Sequence, residues 1–189
     1  RYAGSLPPGA PTTPDELPRI TPQREPEKYY IETIWGDEEI TLENGISPNV
    51  QYVCLNGQCW NVATELAWRL PGGHIGVIYA NPDPDPGSNT TWGFTITEKM
   101  KEDPEWLEGA RHAVAIDESG WLYDVNGQHD PEGFREVALD AWQARQMVVM
   151  SVPEFDLLFE NDLYRNAPAQ DEEFSSKVAE LVLNGIDQD

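Results

Sequence analysis

Cations and cysteines are both scarce in this chain. Only 12 of its 189 residues are Lys or Arg, against 34 Asp and Glu, and the formal net charge is -22. No broad positive face is available to neutralise phosphates, which excludes nucleic-acid binding by simple charge. Two cysteines, Cys54 and Cys59, are too few for the disulfide framework of a small secreted scaffold and point to a reducing compartment. No apolar run approaches the ~18 residues of a membrane-spanning helix, so no membrane partner is expected. The opening residues, RYAGSLPPGA, lack the apolar centre of a signal peptide. Phosphate-cradling glycine loops, a dinucleotide fingerprint and a serine nucleophile elbow are all missing, and no cofactor is expected.

Seven Trp and seven Tyr are present, too many for a disordered acidic tail. Seven of the 16 prolines fall between Pro7 and Pro26, so residues 1–27 are expected to form an extended arm or linker. Residues 28–189 are expected to fold as a single α+β domain. A chain of that size buries roughly 70% of its unfolded surface and needs no staples.

Within that domain, YYIETIWGDEEITLE (29–43) places β-branched and aromatic runs around Gly36-Asp37 and predicts a hairpin. QYVCL (51–55) reads as a short strand. Residues 59–70 carry a helical stripe, Val62, Ala63, Leu66, Ala67 and Leu70, with Asn61, Glu65 and Arg69 opposite. HIGVIYA (74–80) and WGFTITEK (92–99) read as strands, and a short acidic helix is expected near 103–109. A helix near 132–144 leads to the apolar strand MVVMSV (147–152), expected to be central in an antiparallel sheet. Residues 153–186 read as two acidic amphipathic helices, with Phe155, Leu158 and Phe159 on one, and Phe174, Val178, Leu181 and Val182 on the other.

The stretch 111–130, RHAVAIDESGWLYDVNGQHD, has a definite register. Two strands joined by Glu118-Ser119-Gly120 suit a three-residue loop with glycine at its left-handed position. If Asp117 pairs with Trp121, His112 lies opposite Asn126, and Asp124 is one pair away on the same face. Cys59 is predicted at the first turn of the buried helix, where the positive end of the helix dipole favours thiolate.

Gly57-Gln58-Cys59-Trp60, followed by Val62-Ala63, resembles the nucleophile segment of papain-like cysteine peptidases, a superfamily that also contains transglutaminases, arylamine acetyltransferases and bacterial papain-fold toxins. The order Cys, His, Asp in the chain matches that family's order. The resemblance implies a papain-like fold, with the Cys59 helix packed on an antiparallel sheet, and a site in which Cys59 is nucleophile, His112 base then acid, and Asp124 the residue that orients it. It implies acyl hydrolysis or transfer on a protein or peptide substrate, at a peptide, isopeptide or side-chain amide. The acidic surface would draw in a basic substrate or partner. No Gln stands about six residues before the cysteine, so Gln51 or Gln58 is the candidate oxyanion donor, and Asn126 is an alternative orienting residue.

Other readings remain open beside this one. Cys59 shares a face with Val62, Ala63 and Leu66 and suits an ordinary core thiol, or a redox pair with Cys54. Asp124 and Asn126 suit turn formation. Asp124, Asn126 and Asp130 make only a partial calcium loop, and His74, His112 and His129 lack zinc spacing, so no metal is expected. The competing class is a non-catalytic acidic interaction module of phage or bacterial type that keeps the scaffold and binds a basic partner.

Overall fold

The computed structural model describes residues 26–80, 92–95, 109–144, 146–160 and 167–186. The expected arm falls on residues outside this set except for Pro26 and Glu27, and Glu27 already opens a strand. The hairpin is formed by β1 (Glu27–Thr33) and β2 (Gly36–Leu42). Its turn is Ile34-Trp35, two residues earlier than expected. Thr33 Oγ1 accepts from Trp35 N at 3.1 Å and donates to Gly36 O at 2.8 Å, and Gly36, at φ +126°, takes the left-handed position that closes the turn.

The expected strand at 51–55 is instead helical, a correction with a clear cause. Ser47 caps helix α1 (Pro48–Val53) by accepting from Val50 N at 3.3 Å, and Pro48 occupies a first-turn position where its missing N–H costs nothing. That start signal outweighs the strand preference of Tyr52-Val53, and the i, i+3 pair Val50 and Val53 is buried. A π-helical turn, Cys54–Gln58, then kinks at Asn56 and Gly57 before α2 (Cys59–Arg69) begins. Gly57 stands at φ +136°, and a Cβ there would lie 2.5 Å from Pro168 Cγ. Only glycine fits this junction.

The second sheet has six strands in the order β4 (Trp92–Thr95), β8 (Gln146–Met150), β3 (His74–Tyr79), β5 (Ala110–Ile116), β6 (Leu122–Asp124) and β7 (Gly127–His129). The expected strands, β8, β3, β5 and β6, pair antiparallel with one another, and β4 adds one parallel neighbour to β8 at the edge. The expected strand 147–152 is shorter, since Val152 already opens a helix, but its apolar residues Met147, Val148 and Val149 are flanked on both sides. Of the expected helix near 103–109 only Gly109 is described, and of WGFTITEK only 92–95.

Alternating strand residues face two cores. Ile75, Val77, Ala113, Ala115, Tyr123, Val148 and Met150 belong to the larger one, with Val62, Ala63, Leu66 and Ala67 of α2. Ile78, Val114, Leu122 and Met147 belong to the smaller one, with Phe134 and Ala138 of α3 (Pro131–Trp142). The C-terminal helices are α4 (Val152–Glu160) and α5 (Glu172–Ile186), which bury Phe155 and Leu158, and Phe174, Val178, Ala179 and Val182, in the larger core. Leu181 is only half-buried, and the Phe159 side chain lies outside the described set. The chain is therefore α+β, with helices on both sides of the sheet. No helix of the described residues is long and apolar enough to cross a membrane.

Leu66 is fully buried where α2 meets the sheet. Leu66→Ala should lower stability by about 2–5 kcal/mol in urea unfolding. Gly57→Ala should be far more destabilising than Gly45→Ala, because a Cβ at Gly45 meets nothing within 4 Å.

Candidate functional site

The hairpin β5–β6 adopts the three-residue register. Asp117 N donates to Trp121 O at 3.1 Å, Ala115 pairs with Tyr123, and Gly120 is left-handed at φ +87°. Asp117 holds the loop: its Oδ1 accepts from Ser119 N at 2.8 Å and Trp121 N at 3.0 Å, and its Oδ2 accepts from Tyr123 OH at 2.8 Å. Counting back from this loop sets His112 and Asp124 on one face in diagonal relation. Their side chains meet: His112 Nε2 donates to Asp124 Oδ2 at 3.0 Å. Both are almost completely buried, at 1% and 3% exposure.

Cys59 begins α2 at 4% exposure, and it is the other group acting on His112. Burial pushes the imidazole pKa down, but the hydrogen bond to Asp124 and then the interaction with Cys59 outweigh it and carry it up to about 10. Burial likewise pushes Asp124 up, and hydrogen bonds from His112 and His129 outweigh it, holding the carboxyl well below the usual carboxylate range. His112 Nδ1 is buried without a well-formed hydrogen bond. The imidazole face is covered by Trp142, stacked at 4.8 Å between ring centroids and 25°, and by Phe134 at 6.4 Å.

The remaining candidates are placed differently. Gln58 is fully buried and fully committed: Nε2 donates to Glu32 O at 2.8 Å and Ala169 O at 2.7 Å, and Oε1 accepts from Asp171 N at 3.2 Å. It has no hydrogen left for an oxyanion. Gln51, on α1, makes no side-chain hydrogen bond to Cys59 or His112 and instead lines a groove of about 1400 Å³. Asn126 sits in the two-residue turn between β6 and β7, where Asp124 pairs with Gly127, so it is not opposite His112. Its backbone N–H serves the site by donating to Asp124 Oδ1 at 2.8 Å. The groove, walled also by Glu43, Val125, Asn126, Gln128 and Glu180, lies beside this turn, and Cys59, His112 and Asp124 are not in its lining.

His129 is the residue that sequence reasoning missed. It donates from Nε2 to Asp124 Oδ1 at 2.9 Å, so two histidines that look unrelated in sequence converge on one carboxylate. Each ring holds a separate oxygen by hydrogen bonding, and no cluster among the described residues has the donors to hold a metal ion. Cys54, five residues before Cys59, is 1% exposed, and burial, with the nearby Cys59 and Asp124 adding to it, pushes its thiol far up. Comparison with family models, with curated proteins and with solved structures gave no match.

The electrostatics set a pH signature. His112 is raised above its ordinary 6.5, so its contribution to stability is complete below 6.5 and is lost as pH rises through about 10. Asp124 is depressed, so its contribution is present above its ordinary 3.8 and is lost only in stronger acid. The stability advantage of the wild type over Asp124→Asn should therefore be largest between about pH 4 and 6.5 and shrink toward pH 10. Urea midpoints measured across that range check it, with Asn126→Ala close to wild type throughout because its contact is through the backbone.

Proposed function

We propose that the chain is a papain-like cysteine-dependent acyl hydrolase or transferase, with Cys59 as nucleophile, His112 as proton carrier and Asp124 as the carboxylate that stabilises the imidazolium. The observation that carries this reading is the buried His112–Asp124 bond with Cys59 as the second group acting on the same ring. The Cys59 thiol is the adjacent proton donor, and the His112 imidazole, which Asp124 stabilises as a cation, accepts its proton. Transfer of that proton leaves thiolate opposite imidazolium. The sulfur then attacks an acyl carbon of a peptide, isopeptide or side-chain amide, and the carbonyl π electrons move to oxygen. On collapse the C–N bond breaks, His112 returns the proton to the leaving nitrogen, and a thioester remains. Water resolves it by hydrolysis; an amine resolves it by transfer. The net charge of -22 supports a basic substrate or partner, through steering that weakens with salt.

One observation favours a second reading. Cys59 is 4% exposed, and the large groove is not lined by it, as suits a non-catalytic acidic module that keeps the scaffold and binds a basic partner. Iodoacetamide labelling of the folded chain separates the two. The catalytic reading expects label on Cys59 near pH 7 and none on Cys54, a drop of about 10²-fold in rate for His112→Ala, and no change for His74→Ala. A Cys59 that labels only on unfolding, or labels equally well in His112→Ala, would sink it and leave the binding module, whose mark is salt-sensitive binding to polylysine.

A further inference from the structure

The catalytic reading uses three residues, but the buried carboxylate at their end is held by a fourth. Asp124 Oδ2 faces His112, while Oδ1 accepts from His129 Nε2 at 2.9 Å and from Asn126 N at 2.8 Å. Besides His112, His129 is the one side chain among the described residues that hydrogen-bonds this carboxylate. We propose that His129 is a positioning residue of the site, which grips the Asp124 carboxylate from behind and keeps its other oxygen aimed at His112.

Three features support this. The two-residue turn Val125-Asn126 folds β7 back on β6, so that His129, paired with Leu122, lies on the face that carries Asp124. Its ring packs on Phe134, 5.0 Å between centroids and tilted 55°, and Phe134 also lies over His112. The imidazole is therefore oriented by the aromatic cover that encloses the site. Finally, the side chains of the chain His112, Asp124, His129 run from 1% and 3% exposure to 25%, so His129 is the member that reaches solvent.

A buried carboxylate with fewer donors takes up a proton more readily. Even while ionised, a carboxylate that has lost its second side-chain donor is aimed less firmly at His112 and stabilises an imidazolium there less. The titratable groups around Asp124 are His112 on β5, His129 on β7, Cys59 at the start of α2 and Cys54 in the turn before it. Of these, His129 is neither nucleophile, base nor inert core thiol, so replacing it changes the support of Asp124 while leaving the proposed chemistry in place.

The proposal rests on the Cys59–His112–Asp124 reading, and the experiment keeps the two apart. The full chain, wild type, His129→Ala and His129→Gln, is followed from pH 6 to 11 by the low-field His112 Nε2–H proton resonance, and at pH 7 by the rate of Cys59 alkylation with iodoacetamide. In His129→Ala the His112 titration, about 10 in wild type, should fall by about one pH unit because a carboxylate aimed less firmly stabilises the imidazolium less, and Cys59 alkylation at pH 7 should slow with it. His129→Gln, whose amide can still donate to Oδ1, should restore most of the shift. Identical pH behaviour in wild type and His129→Ala would overturn the proposal. So would a Gln variant as shifted as Ala while its thermal midpoint matches wild type, because that pattern denies the hydrogen bond. If wild-type Cys59 does not alkylate, the catalytic reading fails, and the His112 resonance alone decides the role of His129.

Discussion

A carboxylate buried at the end of β6 constrains everything around it. Desolvating Asp124 would cost several kcal/mol without charged or hydrogen-bonding partners, and at 3% exposure bulk water supplies little relief. The chain supplies three donors instead: His112 from β5, His129 from β7 and the Asn126 backbone in the turn between β6 and β7. Two hairpins of different loop length are needed to bring them together. The three-residue loop after β5 sets the diagonal with His112, and the two-residue turn after β6 sets the diagonal with His129. A slip of one residue in either would turn a histidine to the other face and leave the carboxylate exposed to its full desolvation cost. A second polar ladder, Asp117 to Tyr123 to Gln128, crosses the same three strands on the opposite face and pins both registers.

The nucleophile candidate is located by a separate clamp. Gln58 ties the start of α2 to β1 through Glu32 and to the segment before α5 through Ala169 and Asp171. Gln170 reinforces it, donating to Gly57 O at 2.7 Å and accepting from Asn61 N at 3.2 Å. Pro168 lies against Gly57 closely enough to exclude any side chain there. The residues that fix Cys59 are thus drawn from both ends of the described chain. The position of one sulfur therefore depends on contacts between residues more than a hundred apart in sequence.

That distribution explains what could be read from the sequence. The helix at 59–69 was legible because its stripe has one period throughout, and the β5–β6 register because Gly120 in a three-residue loop allows few alternatives. Together these suffice to pair His112 with Asp124 from the sequence, as the structure has them. Helix α1 was hidden because Tyr52 and Val53 favour strands, although Ser47-Pro48 marks a helix start. The role offered for Gln58 failed because its partners lie 26 and more than 100 residues away, which no local pattern reveals. His129 was hidden in the same way: the sequence shows Asn126-Gly127 as a turn signal, but only a two-residue count from Asp124 to Gly127 folds His129 back onto Asp124. Asn126 was misplaced by the same omission, since the strand was extended through the turn.

The two thiols show how placement rather than residue type decides chemistry. Cys54 and Cys59 flank one π-helical turn and are both nearly inaccessible, yet the groups near them differ. Burial opposes ionisation of Cys54 first, and the neighbouring Cys59 and Asp124 add to it. Cys59 begins the helix and adjoins His112, an imidazole that the Asp124 carboxylate favours as a cation. Cys59 therefore has the His112 imidazole beside it, whereas a negative charge on Cys54 would meet the like charge of Asp124. The asymmetry thus originates in strand pairing and reaches the helix through the imidazole.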